Sequence, residues 1–489
     1  MQKSIFKNTL LKMILSVFNI LVPLAVGPYI ARLFDPDLYA RYNDALTIVS
    51  IVIPIAGFGI YNYGIRMISR VREDARKTSR LFTILFSLGV LTNLAGFALF
   101  VFYFTSLRQN ADAAIYSALS IQILANIFLT EWMNEAYENY GFIMAKTIFV
   151  RLGYMAAVFL FVRNPDDVAV YALLLSLSNL INNFISFLYL RKKVRFSFSF
   201  RLSEIPPIVK SLFFLVLISN SGLLFTQLDR LFLSQFGGPI INVSYYVLSQ
   251  TILCTLLNLV NPIVLVSVPR LSKLLSEGKQ ADYLRLQAKS ARSFLLITIP
   301  MNTGVALLGS YIMQLYSGRR YADAGIVLTA FALRNMIGVL DIILANQVLY
   351  LYGQERLLMR LMLTGGMVNL AFNTALVSRD AVTPANLVAT TAAAEAVVVF
   401  LEYLTAKSLN PRLQIFTFHN WKYLGLSLFF IPIYYLVDHM GVRFALEGIF
   451  TVLFCVLFYF GVLYLTRDCI VREYTQAAIK RLRAVCKKA

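Results

Sequence analysis

Apolar runs of about 20 residues, each long enough to span a bilayer, recur from one end of this chain to the other. One such run, LFTILFSLGVLTNLAGFALFVFYF at residues 81–104, can cross a hydrocarbon core of roughly 30 Å as a helix. Its polarity does not alternate, whereas the strands of a membrane barrel alternate over about ten residues. The runs therefore predict an all-α protein that crosses a membrane many times.

Composition agrees with this prediction and excludes several classes of protein. Hydrophobic residues make up 58% of the chain and charged residues only 14%, whereas a soluble domain has about 25% charged residues. The four cysteines form no CxxC motif, and the two histidines fall in predicted loops. Neither a disulfide framework nor a metal site is expected, and no cofactor is predicted.

The apolar runs predict fourteen transmembrane helices joined by short loops. The first apolar segment is too long for a signal peptide and is interpreted as the first span. The predicted spans are residues 8–31, 43–66, 80–104, 113–136, 142–162, 168–190, 209–236, 243–268, 290–315, 324–350, 357–378, 385–406, 420–438 and 446–466.

Lysine and arginine occur at both chain ends and in every second loop except 137–141, which contains neither, and they are sparse in the other loops. The positive-inside rule then places both termini in the cytoplasm. The net charge of +20 is spread along this one face, beside anionic lipid headgroups, and does not indicate nucleic-acid binding. The basic tail is compatible with a helix on the inner leaflet or with a solvated segment.

A sparse pattern shared by two parts of the chain predicts a duplication. Arg66 in RMISRV corresponds to Arg270 in RLSKLL, and Tyr42 corresponds to Tyr246. Both parts enter the membrane from the same side, so the repeat is parallel, as in transporters whose site lies between two halves. The predicted domains are six-helix lobes in residues 1–204 and 205–410, two helices in 411–467 and a basic cytoplasmic tail in 468–489.

Polar residues inside the spans are the candidates for function, because a charge at a helix centre costs about 2.5–3.5 kcal/mol and usually faces a cavity or a partner. Arg151 lies some ten residues into its span, or about 15 Å by helix rise, near the midplane. A guanidinium binds phosphate or carboxylate through paired hydrogen bonds, which suits an anionic substrate. Interhelical contacts and inner-leaflet anchoring are the structural alternatives. The candidate substrate-binding residues are Arg151, Arg66, Arg270, Asp229, Arg230, Asn220 and Gln250.

Asp229 and Arg230 are adjacent in FTQLDRLFLSQF, in the outer third of the seventh span. Neighbouring side chains on a helix point in different directions and do not pair face to face. We expect one to face the cleft and the other a neighbouring helix or the outer interface. A gate contact between Asp229 and a basic residue of the first lobe, Arg32 or Arg41, is one hypothesis.

Signatures of enzymes are missing from the sequence. It contains no GxxxxGK[ST] phosphate loop, no HExxH and no GxSxG. The acid pair in Asp35-Pro36-Asp37 is interpreted as a proline turn between helices. The predicted outer loops are only a few residues long, so no catalytic domain is expected and the chain is predicted not to be an enzyme.

The fourteen spans, the two lobes, LFDPDLYARYNDALTIV after the first helix and LDRLFLSQF in the seventh resemble polysaccharide transporters. These are the Wzx-type lipid-linked oligosaccharide flippases of the multidrug/oligosaccharidyl-lipid/polysaccharide exporter superfamily. The resemblance implies a cavity between the lobes and an undecaprenyl-diphosphate-linked repeat unit as cargo. This cargo, a precursor of O-antigen, capsule or exopolysaccharide, would cross the bacterial inner membrane by alternating access. Family cavities carry basic residues on the second, fifth and eighth helices, which here implies Arg66, Arg151 and Arg270.

The expected partners are this lipid-linked oligosaccharide, membrane lipids, and the polymerase and chain-length proteins of polysaccharide assembly, with no nucleic acid. The membrane potential is one driving force. Antiport of H⁺ or Na⁺ through Asp341, Glu395 or Glu131 is the competing mechanism. A multidrug exporter of the same superfamily is one alternative function, but it predicts twelve spans and an acidic cavity. A peptidoglycan-precursor flippase is the other, although its Arg–Asp segment is not found in the first helix.

Overall fold

The computed structural model describes residues 5–107, 112–198, 202–220, 222–415, 418–441 and 443–476. Within these ranges the regular structure is helical and no strand occurs. The first part contains α1 (Ile5–Leu33), α2 (Pro36–Ala56), α3 (Ile60–Val71), α4 (Ala75–Leu107), α5 (Ala113–Ala125), a 3₁₀ turn (Asn126–Phe128), α6 (Glu131–Ala136), α7 (Tyr140–Phe161) and α8 (Val168–Arg191).

A second group of helices follows a 3₁₀ turn at Leu202–Glu204. It contains α9 (Ile205–Asn220), α10 (Leu223–Phe236), α11 (Ile241–Val260), α12 (Pro262–Leu265), α13 (Val268–Ser276), α14 (Gln280–Leu307), α15 (Gly309–Ser317), a 3₁₀ turn (Arg319–Tyr321) and α16 (Ala324–Leu344), which continues as a π-helical segment (Ala345–Leu349). The last helices are α17 (Glu355–Val377), α18 (Pro384–Leu409), α19 (Phe418–Leu428), α20 (Phe430–His439) and α21 (Phe444–Leu465).

The helices have the length and surface of membrane spans. In the described ranges nine are long and apolar enough to cross a bilayer, and ten if α14 and α15, bent by 78°, form one span. Large apolar side chains such as Leu91, Leu99 and Phe102 are 61–68% exposed on α4, which is the arrangement expected where lipid is the solvent. The all-helical, multi-pass membrane architecture is therefore confirmed. The count of fourteen spans and the cytoplasmic location of the termini stay predictions.

The turn at Asp35-Pro36-Asp37 is built as a helix start. The Asp35 carboxylate accepts hydrogen bonds from the backbone N–H groups of Asp37 and Leu38 at 3.0 and 3.2 Å. Pro36 is the first residue of α2, a position where its missing N–H costs nothing. The two acids therefore serve the local backbone.

Contacts group the chain into two units. Unit 1 comprises residues 1–248, 316–320 and 366–387, and unit 2 comprises 249–315, 321–365 and 388–489. The core of unit 1 includes Trp132, Phe82 and Tyr63. Unit 2 has several apolar clusters, one of which packs α14 against α19–α21 around Tyr423 and Tyr459. The lobe boundaries at residues 204 and 410 stay a prediction.

Each unit contains the same asparagine pair. In unit 1, Asn126 donates to Asn93 at 2.8 Å, and in unit 2, Asn335 donates to Asn302 at 2.9 Å. The partners are 33 residues apart in both pairs, and each acceptor asparagine also donates to the carbonyl four residues before it. Such pairs join helices inside membranes. An identical contact at identical spacing supports the predicted duplication.

The segment after α21 is anchored to α14. Arg292 of α14 donates to the buried Asp468 at 2.6 Å, and Lys289 pairs with Glu473. Burial raises the pKa of Asp468, but hydrogen bonds and charge from Arg292 outweigh it and hold the pKa below its ordinary value. The predicted tail is described only as far as residue 476, and its remainder lies outside the described residues.

Candidate functional site

Three interrupted helices in unit 1 meet at one cavity of about 230 Å³. The α2–α3 break contributes Gly57 and Gly59, the 3₁₀ turn after α5 contributes Asn126, and the end of α9 contributes Asn220. Irregular backbone at membrane depth is tolerated where it lines a cavity. In transporters, such broken helices commonly form the substrate or ion site. We therefore take this cavity, named the break cavity, as one part of the candidate site.

The α2–α3 break has identifiable causes. Pro54 removes a backbone donor near the end of α2. Gly59 has a φ of 68°, a left-handed conformation that side chains rarely adopt. A Cβ atom there would also lie 3.0 Å from the Leu212 carbonyl oxygen of α9. The glycine thus allows α9 to approach the break closely.

The lining of the break cavity is uncharged and combines apolar side chains with several amides and hydroxyls. Asn220 donates to the carbonyl of Val216 at 2.9 Å and more weakly to that of Pro54 at 3.4 Å. The Thr130 hydroxyl is buried and has no hydrogen-bond partner among the described residues. Trp132 adds an apolar ring to the wall. Such a surface can accept a neutral, hydroxyl-rich group better than an ion.

A buried cation lies on α7. The Lys146 ammonium donates to the Glu131 carboxylate at 2.6 Å, to the Ser186 hydroxyl at 2.7 Å and to the Asn182 carbonyl at 3.2 Å. Its side chain is only 2% exposed. All three ammonium hydrogens are therefore used, which is what a buried charge requires. Sequence reasoning missed Lys146, although its position six residues into an apolar helix was a usable signal.

Arg151 lies five residues later on the same helix and is half-buried. Its guanidinium lies within the electrostatic range of Glu131 and of the Tyr154 hydroxyl. Unlike Lys146, it has no hydrogen-bond partner in the part of the chain that the structure describes. The predicted site residue thus presents unused donors near the middle of a spanning helix.

A row of tyrosines extends from Arg151 through unit 1. The rings of Tyr154 and Tyr171 are 6.5 Å apart, those of Tyr171 and Tyr42 are 5.2 Å apart, and those of Tyr42 and Tyr39 are 6.0 Å apart. Arg151 interacts electrostatically with Tyr154 at one end of the row. At the other end, Arg230 interacts with Tyr39 and donates to Gln227 at 3.4 Å. A row of four tyrosine rings therefore lies between two predicted site residues, Arg151 and Arg230.

Asp229 is fully buried in unit 1. Its carboxylate accepts from Asn373 at 2.7 Å, from Asn369 at 3.1 Å and from the Tyr246 hydroxyl at 2.8 Å. Arg41, one of the basic residues considered for a gate, forms an ion pair with Asp112 at 3.4 Å. Asp229 and Arg230 thus point into different surroundings, one fully buried among amides and one beside Tyr39.

The remaining predicted residues are spread over both units. Arg66 is exposed on α3, with its guanidinium 5.8 Å from the centre of the Tyr63 ring. Arg270 is exposed on α13 in unit 2, and Gln250 is buried on α11 in the same unit. Asn220 lines the break cavity.

Unit 2 contains a group of acids between α16 and α18. Arg334 donates to Glu395 at 3.0 Å, and both are largely buried. Asp341 and Glu402 act electrostatically on each other, and Glu402 is fully buried. Sequence reasoning identified Asp341 and Glu395 but missed Glu402. Glu402 lies near the end of its predicted span, where an acid is expected to face the membrane interface. No group of three potential metal ligands is found among the described residues.

Comparisons with known proteins agree with this architecture. A family described as "Polysaccharide biosynthesis protein" matches residues 5–275. A "Putative O-antigen transporter" of Shigella dysenteriae is 23% identical over 370 residues, which cover 75% of this chain and 91% of the relative. A relative of the same description from Escherichia coli K12 is 22% identical over 378 residues, which cover 75% and 88% of the two chains.

Two solved structures share the fold. The lipid II flippase MurJ in an inward closed conformation aligns with a TM-score of 0.71 at 14% identity, covering 95% of this chain and all of that one. An outward-facing multidrug resistance MATE transporter of the MOP superfamily aligns with a TM-score of 0.54 at 14% identity, covering 83% and 95%. The resemblance drawn from the sequence is thereby confirmed. Because the family match spans more than half of the 489 residues, the chain belongs to the polysaccharide biosynthesis protein family.

Proposed function

We propose that the protein moves undecaprenyl-diphosphate-linked oligosaccharide units from the cytoplasmic to the outer leaflet of the bacterial inner membrane. The observation that carries this proposal is the contrast between Lys146 and Arg151 on α7. Lys146 is buried and fully hydrogen-bonded, whereas Arg151 is half-buried and keeps its donors unused. A free guanidinium at this depth is costly unless an anion occupies the site for part of the cycle.

A diphosphate is an anion that suits such a residue, because its oxygens accept paired hydrogen bonds from the planar guanidinium. The O-antigen transporter relatives support a polysaccharide precursor as the cargo. The polyprenyl tail can stay in the lipid, so the protein needs to shield only the diphosphate and the sugars. Arg66 and Arg270 are proposed as further diphosphate contacts, and Asp229, Arg230, Asn220 and Gln250 as residues that meet the sugars or support those that do.

The proposal includes an architecture of fourteen spans with cytoplasmic termini and a mechanism of alternating access. The helix boundaries support it, since every predicted span overlaps a helix. Outward movement of the diphosphate follows the membrane potential where the cytoplasm is negative. At about 2.3 kcal/mol per charge per 100 mV, two charges contribute roughly 4–5 kcal/mol. A polymerase and chain-length proteins would use the product on the outer side.

The alternatives are a multidrug exporter and a peptidoglycan-precursor flippase. Solved members of both groups share this fold, but at 14% identity the likeness concerns the fold alone. The arginine on α7 favours an anionic cargo over the cationic drugs expected for the first alternative. The family match and the O-antigen transporter relatives favour a polysaccharide unit over a peptidoglycan precursor.

Replacement of Arg151 tests the proposed function. Arg151→Ala should reduce surface polysaccharide at least tenfold while the folded protein persists in the membrane, and Arg151→Lys should keep part of the activity because a point charge remains. The measurement is the surface polysaccharide of cells in which the variant is the sole copy. Arg163→Ala is the matched control, since Arg163 is an exposed arginine just beyond the same helix. Full activity of Arg151→Ala would remove Arg151 from the substrate site.

A further inference from the structure

Two carboxyl groups meet in the interior of unit 2. Asp341 lies in the second half of α16 and Glu402 in the second half of α18, each seven residues after one partner of the Arg334–Glu395 ion pair that joins the two helices, and each acid acts electrostatically on the other. Each lies seven or eight residues, about 10–12 Å, before the end of its helical segment. The two acids therefore meet at matching depths within spanning helices.

Neither group has a donor from the rest of the described chain. Both carboxyl oxygens of Glu402 and the Oδ1 atom of Asp341 are buried and lack a hydrogen-bond partner. Glu402 has no solvent exposure at all. An ionised carboxylate is only an acceptor, so two ionised groups in this position would repel each other without any compensating donor.

We propose that Asp341 and Glu402 share one bound proton and form a proton-binding site of the transporter. A protonated carboxyl group donates a hydrogen bond, so a single proton converts the repulsive contact into an O–H···O⁻ bond. Two acids that share a proton in this way would titrate as one pair.

The charged groups around Asp341 and Glu402 give this region an excess of negative charge, which a bound proton reduces. Glu395 of α18 and Arg334 of α16 act on the pair and form their own ion pair at 3.0 Å. Glu395 lies two helical turns before Glu402 and therefore on the same face of α18. From α14, the contacts with this part of α16 are neutral, through Asn302 to Asn335 and through the Tyr283 hydroxyl to the Gln347 carbonyl. Three carboxyl groups thus face one guanidinium, and the bound proton offsets part of the excess negative charge.

The backbone beside the pair is irregular. The π-helical segment Ala345–Leu349 begins four residues after Asp341. Single π turns inside α-helices occur frequently at functional sites, because they change the hydrogen-bond register of a helix locally. In the same segment, the side-chain oxygen of Gln347 is buried and without a partner. A change in the register of this turn would move Asp341 relative to Glu402 and thereby release or admit the proton.

The existence of the proton site does not depend on the proposed cargo, whereas its coupling to transport does rest on the proposed function. Infrared spectroscopy of the full chain in cargo-free lipid vesicles at neutral pH measures the site, because protonated carboxyl groups and carboxylates absorb separately. Wild type should show a protonated carboxyl band that Glu402→Gln removes. In the variant the new amide donates to Asp341, which can then remain ionised.

Glu355→Gln, at an exposed acid that begins α17, is the control and should keep the band. Asp341→Asn is a second variant of the same pair and should also remove the band. It tests the site if Glu402→Gln does not fold. A band of wild-type intensity in both folded variants would overturn the proposal. Loss of the wild-type band when potassium is replaced by sodium would show a metal-ion site and would overturn it as well.

Discussion

Lys146 and Arg151 show at the scale of single residues how the same helix can hold one structural and one available cation. The structural cation has its counter-ion, a hydroxyl and a carbonyl within 3.2 Å. The available cation shares the field of the same counter-ion, Glu131, but forms no hydrogen bond with the described chain. Glu131, which the sequence suggested for ion coupling, is thus engaged with Lys146.

Removal of one member of this buried pair should be costly. Lys146→Met leaves the Glu131 carboxylate, which is 20% exposed, without its cation, and we expect a loss of about 3 kcal/mol of stability, the lower end of the range for a buried pair. The measurement is thermal unfolding of the purified protein in detergent. The double variant Lys146→Met with Glu131→Gln should recover a substantial part of the loss. A wild-type midpoint for Lys146→Met alone would contradict a structural role for the pair.

At the scale of helices, the interruptions between helices, rather than the regular stretches, form the candidate site. The breaks after α2, α5 and α9 surround one cavity. Gly59, Asn126 and Asn220 lie at these breaks and line the cavity. Pro54, one cause of the α2 break, is visible in the sequence. The sequence did not show that three breaks, distant in the chain, converge, because convergence depends on how the helices pack.

A substitution at Gly59 tests whether the break between α2 and α3 requires a glycine. Gly59→Ala places a side chain at a φ of 68° and 3.0 Å from the Leu212 carbonyl, so we expect destabilisation by about 1–3 kcal/mol. The unfolding midpoint of the purified protein in detergent checks this. Gly153→Ala is the matched control, because its Cβ would meet open space on α7 and alanine favours the helix. Equal midpoints for the two variants would contradict the structural requirement for glycine at the break.

At the scale of the whole molecule, the apolar runs predicted the helical, multi-pass membrane architecture, whereas the orientation drawn from the basic loops stays a prediction. The all-helical membrane architecture followed from run length, and the polysaccharide family followed from a few motifs. The contacts of Asp229 with Asn369 and Asn373 could not be predicted, because they join helices 140 and 144 residues apart. The paired asparagines of the two units were readable in principle, since their spacing of 33 residues recurs, but only the hydrogen bonds show what the spacing means.

The central claim is that the protein carries a diphosphate-linked oligosaccharide across the membrane. The most direct measurement is the leaflet distribution of undecaprenyl-diphosphate oligosaccharide in vesicles that contain the purified protein, with potential, pH and sodium gradients imposed separately. We predict protein-dependent movement that accelerates when the side of origin is made negative. Movement no faster than in protein-free vesicles would contradict the claim, and movement indifferent to the potential would contradict the proposed driving force.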